Sequence, residues 1–125
     1  MASVTSEERN IESGIIFGMI CDDATIASGA GAVEELTVLA YDAANKKYIP
    51  CDPTADPSDP ASEPSCLVAL GGAVDATSED KYTRVIIQCE VDESRIVLAA
   101  GAADDVRVAL REKGIILRKA VDNRV

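Results

Sequence analysis

The sequence predicts a mainly β domain with one short helix near its C-terminus, a minor α+β element. Three observations carry this. Apolar runs are short, β-branched and bounded by Gly, Asp, Asn or Pro. One segment only, Asp104 to Gly114, carries both start and stop signals of a helix. With 125 residues, 47% of them hydrophobic and 27% charged, the chain suits one globular domain with a modest core.

Met1 to Gly14 is polar, carries Glu7, Glu8, Arg9 and Glu12, and has neither helical nor strand periodicity, so it reads as an arm. Ile15-Ile16-Phe17-Gly18-Met19-Ile20 is apolar and ends at Cys21-Asp22-Asp23, which suits a strand. The expected organisation is therefore a flexible arm over residues 1–22 containing a strand-forming segment, then a single domain over 23–125. Asp23 to Gly29 alternates weakly and runs into a Gly29-Ala30-Gly31 turn. Leu36 to Tyr41 predicts a strand, Asp42-Ala43-Ala44-Asn45 a turn and Tyr48-Ile49 the return, together a hairpin.

Between Cys51 and Ser65 stand Pro53, Pro57, Pro60 and Pro64 among Asp and Ser, which predicts a surface loop without regular structure. Cys66 to Leu70, Arg84 to Val91 and Arg95 to Ala99 then read as strands. In the helix, Asp104 or Asp105 is the expected N-terminal cap, and Val106, Ala109 and Leu110 form the apolar stripe. Arg111 and Lys113 fall in the last turn, and Gly114 terminates it. Ile115-Ile116-Leu117 is the final expected strand, and no internal repeat is visible.

The chain has 22 acidic and 12 basic residues, no histidine and a net charge of −10. Without histidine there is no Ser-His-Asp or Cys-His nucleophile arrangement, no histidine zinc site and no ordinary general base near neutral pH. So acidic a chain is a poor match for nucleic acid or an anionic membrane, neither of which is an expected partner. Charge is divided along the sequence: residues 1–66 hold 12 acids and 3 bases, residues 67–125 hold 10 and 9. Such asymmetry can orient packing between copies or onto a charged partner.

Cys21, Cys51, Cys66 and Cys89 form no Cys-x-x-Cys pair, so no metal site is expected from them. No basic-then-apolar leader follows Met1, and Ile15 to Ile20 is far short of the ~20 residues of a membrane span. A cytosolic chain with reduced, partly buried thiols is expected. The carboxylate doublets Asp22/Asp23, Glu34/Glu35, Asp92/Glu93 and Asp104/Asp105 do not converge, because neighbours on a strand point to opposite faces. Gly29-Ala30-Gly31 lacks a third glycine and a phosphate-binding lysine. Asp52, Asp56, Asp59 and Glu63 lack the spacing of a calcium loop. No catalytic residue, cofactor or metal ligand is expected.

Six pieces stand in a telling order: Thr25-Ile26-Ala27-Ser28-Gly29, Thr37-Val38-Leu39, Lys47-Tyr48-Ile49-Pro50, Val74-Asp75-Ala76-Thr77, Glu90-Val91 and Lys113-Gly114-Ile115-Ile116. Together, over about residues 23–120, they resemble the head decoration protein family of tailed phages, the lambda head protein D-like capsid-stabilising proteins. The family often has glycine before Thr-Val-Leu, where this chain has Glu35-Leu36, and before Glu-Val, where it has Cys89.

The resemblance implies a compact β-barrel or β-tulip-like domain with no enzymatic activity. It also implies a homotrimer seated on three-fold and quasi-three-fold positions of the expanded head. The protein is then made late in the host cytoplasm and sits on the outer surface of the virion, with the major capsid protein and its own copies as partners. The N-terminal arm pairs with the shell, and Ile15, Ile16, Phe17, Met19 and Ile20 are the expected capsid-binding residues. The alternative is a small cytosolic β-barrel that binds a ligand in one concave pocket, and a thiol-dependent protein using the four cysteines is a further rival.

Overall fold

The computed structural model describes residues 15–119. Eight strands are present: β1 Ile15–Ile26, β2 Gly31–Val33, β3 Val38–Asp42, β4 Lys47–Pro50, β5 Pro64–Val68, β6 Val74–Ala76, β7 Lys81–Asp92 and β8 Ile115–Arg118. One helix, α1 Ala103–Lys113, precedes β8. The expected mainly β fold with a late helix is thus what the chain forms.

Strand pairing closes a ring. β1 runs antiparallel to β7, β7 to β5, β5 to β3 and β3 to β4, and β4 returns to β1 through one parallel pair, Ile26 with Tyr48. β8 lies outside this ring, parallel to the far end of β7 from Cys89–Ile115 to Asp92–Arg118. β2 and β6 form a separate two-stranded sheet.

The central strands are buried on both faces, which is why they read as continuous apolar runs rather than alternating ones. Val38, Ala40, Leu67 and Ile86 belong to a core completed by Val106 and Leu110 of α1 and by Ile115 and Leu117 of β8. Their neighbours Leu39, Cys66, Val68 and Val85 pack the other way, against Ala24 and Ile26 of β1, Val33 and Ala76. One helix and one folded-over strand therefore cover the two sides of the same small sheet.

Four local expectations change. The boundary expected between residues 22 and 23 falls inside β1, which continues through the weakly alternating Asp23–Ile26; residues 1–14 lie outside the described residues. Arg95 to Ala99 is not a strand: Asp92 accepts the Ser94 N–H at 2.9 Å and opens a 3₁₀ turn over Glu93–Arg95. Only a single bridge follows, between Thr37 and Val97. The proline loop does hold a regular element, the 3₁₀ turn Pro60–Ser62, because proline's fixed φ suits a first helical position and Asp59 accepts the Ala61 N–H at 2.9 Å. The residue before α1 is Ala102, and Asp105 caps from one turn inside, accepting the Ala102 N–H at 2.8 Å. Gly114 ends α1 at φ 104°, as expected, but the pairing of β2 with β6 had no sequence signal.

Leu36 has φ 64°, in the left-handed region that costs a side-chain-bearing residue, yet its side chain is 3% exposed and belongs to the α1-side core. Its backbone is pinned on both sides: Leu36 N–H donates to the Val68 carbonyl at 2.8 Å and its own carbonyl accepts the Val97 N–H at 3.0 Å. This is the position before Thr-Val-Leu where the resembling family often has glycine. The backbone turn is one that glycine adopts freely, and here a leucine adopts it while filling the core.

Candidate docking surface

All five residues expected to bind a capsid stand on the first half of β1. The backbone register places Ile15 opposite Val91, Phe17 opposite Glu90, Met19 opposite Cys89 and Ile20 opposite Gln88. Pairing here is irregular, with shifts between Ile15 and Phe17, Phe17 and Met19, and Ile20 and Cys21. Gly18, at φ 58°, supplies a left-handed backbone step in the middle of the run. Met19 is 43% and Ile20 49% exposed, and Ile87 on the partner strand is 38% exposed, so the segment presents apolar side chains to solvent. Beyond Ile20 the strand turns inward: Cys21 packs against the core, and Ala24 and Ile26 are buried.

The acidic groups weighed in the sequence are engaged locally. Asp52 accepts the Thr54 N–H at 3.0 Å and Asp56 the Ser58 N–H at 2.9 Å; the latter bond holds the Asp56 carboxyl below its ordinary range. Glu35 accepts the Gly71 N–H at 2.8 Å, tying two loops. Among the described residues no three Cys, Asp or Glu side chains are grouped to hold a metal ion. The proline loop, Tyr41 and Lys113 line an open concavity of about 350 Å³, where Lys113 bonds the Pro64 carbonyl at 3.2 Å.

Cys51, Cys66 and Cys89 are poorly suited to thiol chemistry. Burial pushes the Cys51 thiol up to about 11 and those of Cys66 and Cys89 up to about 12, so all three stay protonated at neutral pH, and the thiolate is the reactive form. Cys21 is half-buried.

Sequence reading missed the charge cluster that ties α1 to the strands. Arg107 pairs with Glu93, bonds Asp104 at 2.9 Å and donates to the Leu117 carbonyl at 3.0 Å, while Lys119 lies 3.7 Å from Glu93. The hydrogen bonds that Arg107 donates to Glu93 and Asp104 raise its pKa above its ordinary value. Only the sign split between Asp104/Asp105 and the basic end of the chain hinted at it.

Comparison with known families gives the class of this small β ring: a capsid decoration protein of a bacteriophage head. Residues 18–115 match the family described as Bacteriophage lambda head decoration protein D, and the chain belongs to that family of structural proteins. The match includes Gly18, Met19 and Ile20 and nearly the whole of the described fold. No curated protein matches the chain.

Proposed function

We propose that this chain cements the expanded phage head. It binds the outer surface as a homotrimer at three-fold and quasi-three-fold positions, and Ile15, Ile16, Phe17, Met19 and Ile20 supply the contact to the major capsid protein. The family match over residues 18–115 carries the reading. Exposed Met19 and Ile20 on an extended backbone support the contact, since strand pairing supplies affinity through the main chain and alternate side chains supply fit. Three segments per trimer act at high effective concentration once one has engaged. A chain with no Trp and a single Phe has little large-aromatic surface to bury in its own core and gains from burial between copies.

Stabilisation follows from binding the expanded shell more tightly than its precursor, by an amount set by the difference in affinity. Heads prepared without this protein, then mixed with it, should sediment with it and resist heating better. The Met19→Asp/Ile20→Asp variant should fold with unchanged thermal stability and bind at least tenfold more weakly, because two charges replace apolar contacts. Normal binding by that variant would remove the segment from the interface, and absence of binding by the unaltered protein would overturn the function.

A further inference from the structure

Resting on the decoration reading, we propose that residues 15–20 are a releasable strand, seated on β7 in the free protein and detached from it when the protein docks. Four features of β1 support this.

Irregularity is confined to one half: every register shift in the β1–β7 ladder lies at or before the Ile20/Cys21 step, and the pairing from Cys21–Ile86 to Ile26–Lys81 is unbroken. Burial rises along the strand, from Met19 and Ile20 about half exposed, through half-buried Cys21 and exposed Asp22 and Asp23, to buried Ala24 and Ile26. There is open space beside the strand: a surface hollow of about 190 Å³ is lined by Gly18, Gln88, Cys89, Glu90, Gly114 and Ile116, and a Cβ at Gly18 would touch nothing within 4 Å.

Attachment is also one-sided. Among the described residues, β1 pairs with β4 only at Ile26, so residues 15–20 are held by β7 alone. The opposite side of β7 keeps its own partner, because Cys89 to Asp92 pair with Ile115 to Arg118 of β8. Detaching residues 15–20 therefore leaves the ring and the α1-side core intact. The Ile20/Cys21 bulge is the hinge, and Cys21 to Ile26 is the fixed root. Regions with few buried contacts and one-sided pairing open at lower free energy than the rest of a fold.

The full-length chain tests this in two ways. Hydrogen exchange on the free protein should show the slow-exchanging amides of residues 15–20 exchanging roughly tenfold or more faster than those of 22–26, as local opening requires. Equal protection of the two halves overturns release. The Ile20→Cys/Gln88→Cys/Cys21→Ser variant uses directly opposed, exposed positions to tie the strand down. Oxidised glutathione accepts the two electrons as the two thiols lose their protons and form the bond, leaving two reduced glutathiones.

The oxidised variant should bind expanded heads at least tenfold more weakly than the same protein after dithiothreitol, a contrast within one variant that holds the replacement of Ile20 constant. Equal binding in both states overturns release while leaving the decoration function standing. If neither the reduced variant nor the unaltered chain binds, the decoration function falls, and the exchange contrast alone decides whether the strand opens.

Discussion

Leu36 offers a measurable test of how this fold balances backbone strain against burial. Truncating a buried leucine to alanine costs about 3 kcal/mol through lost transfer energy and the cavity left behind, and Leu36 is only 3% exposed. Going further, from alanine to glycine, ordinarily costs about 1.5 kcal/mol, from roughly 0.8 for a buried methyl and roughly 0.7 for backbone entropy. At φ 64° a third contribution has the opposite sign, because glycine is spared about 1–2 kcal/mol of left-handed strain. The Leu36→Gly and Leu36→Ala variants should therefore be equally stable to within about 0.5 kcal/mol. Val38, fully buried two residues on and within regular β3, serves as control, and there glycine should fall about 1.5 kcal/mol below alanine. Urea unfolding with a shared m-value reads both differences. A Leu36→Gly variant 1.5 kcal/mol less stable than Leu36→Ala would show that the turn imposes no strain, and the account of Leu36 as a leucine in a glycine conformation would fail.

The three buried thiols set an alkaline limit. Their folded-state values of about 11 to 12 lie above the ordinary value of 9.0, so their contribution is fully present below pH 9 and is lost as pH rises from about 9 toward 12. Unfolding free energy should fall over that window, and a Cys51→Ala/Cys66→Ala/Cys89→Ala variant, less stable at pH 7, should show a flatter decline; an unchanged slope would assign the loss to other groups. Arg107→Ala should lower stability by about 1–2 kcal/mol, since it leaves the Leu117 carbonyl and the half-buried Glu93 without their guanidinium partner. Thermal unfolding checks this, and a change within the error of an exposed Arg111→Ala control would show the cluster to be ornamental to stability.

Much of the fold was legible because its strands are buried on both faces. Thr37 to Ala40, Cys66 to Ala69 and Val85 to Ile86 appear in the sequence as unbroken apolar runs, and the helix carried its basic last turn and Gly114 terminator plainly. What escaped was set by contacts distant in sequence. β2 and β6 are three residues each and exist because Gly31 to Val33 meets Val74 to Ala76. Arg95 to Ala99 has the composition of a strand, yet Asp92 diverts it into a turn before it can pair. The apolar run at Ile15 to Ile20 was legible, but not its seat on β7. Neither the bulge at Ile20/Cys21 nor the company of β8 leaves a local signature.

The root of β1 has a mechanical consequence. Tension applied along the strand at Cys21 reaches the Cys21–Ile26 ladder in shear, so its hydrogen bonds to β7 resist together instead of parting one after another as in a zipper. The load ends at Ile26, where the strand meets Tyr48 and closes the ring, and Ile26 is fully buried. A pull that would peel a freely hanging strand is therefore delivered to a fully buried residue at the closure of the ring.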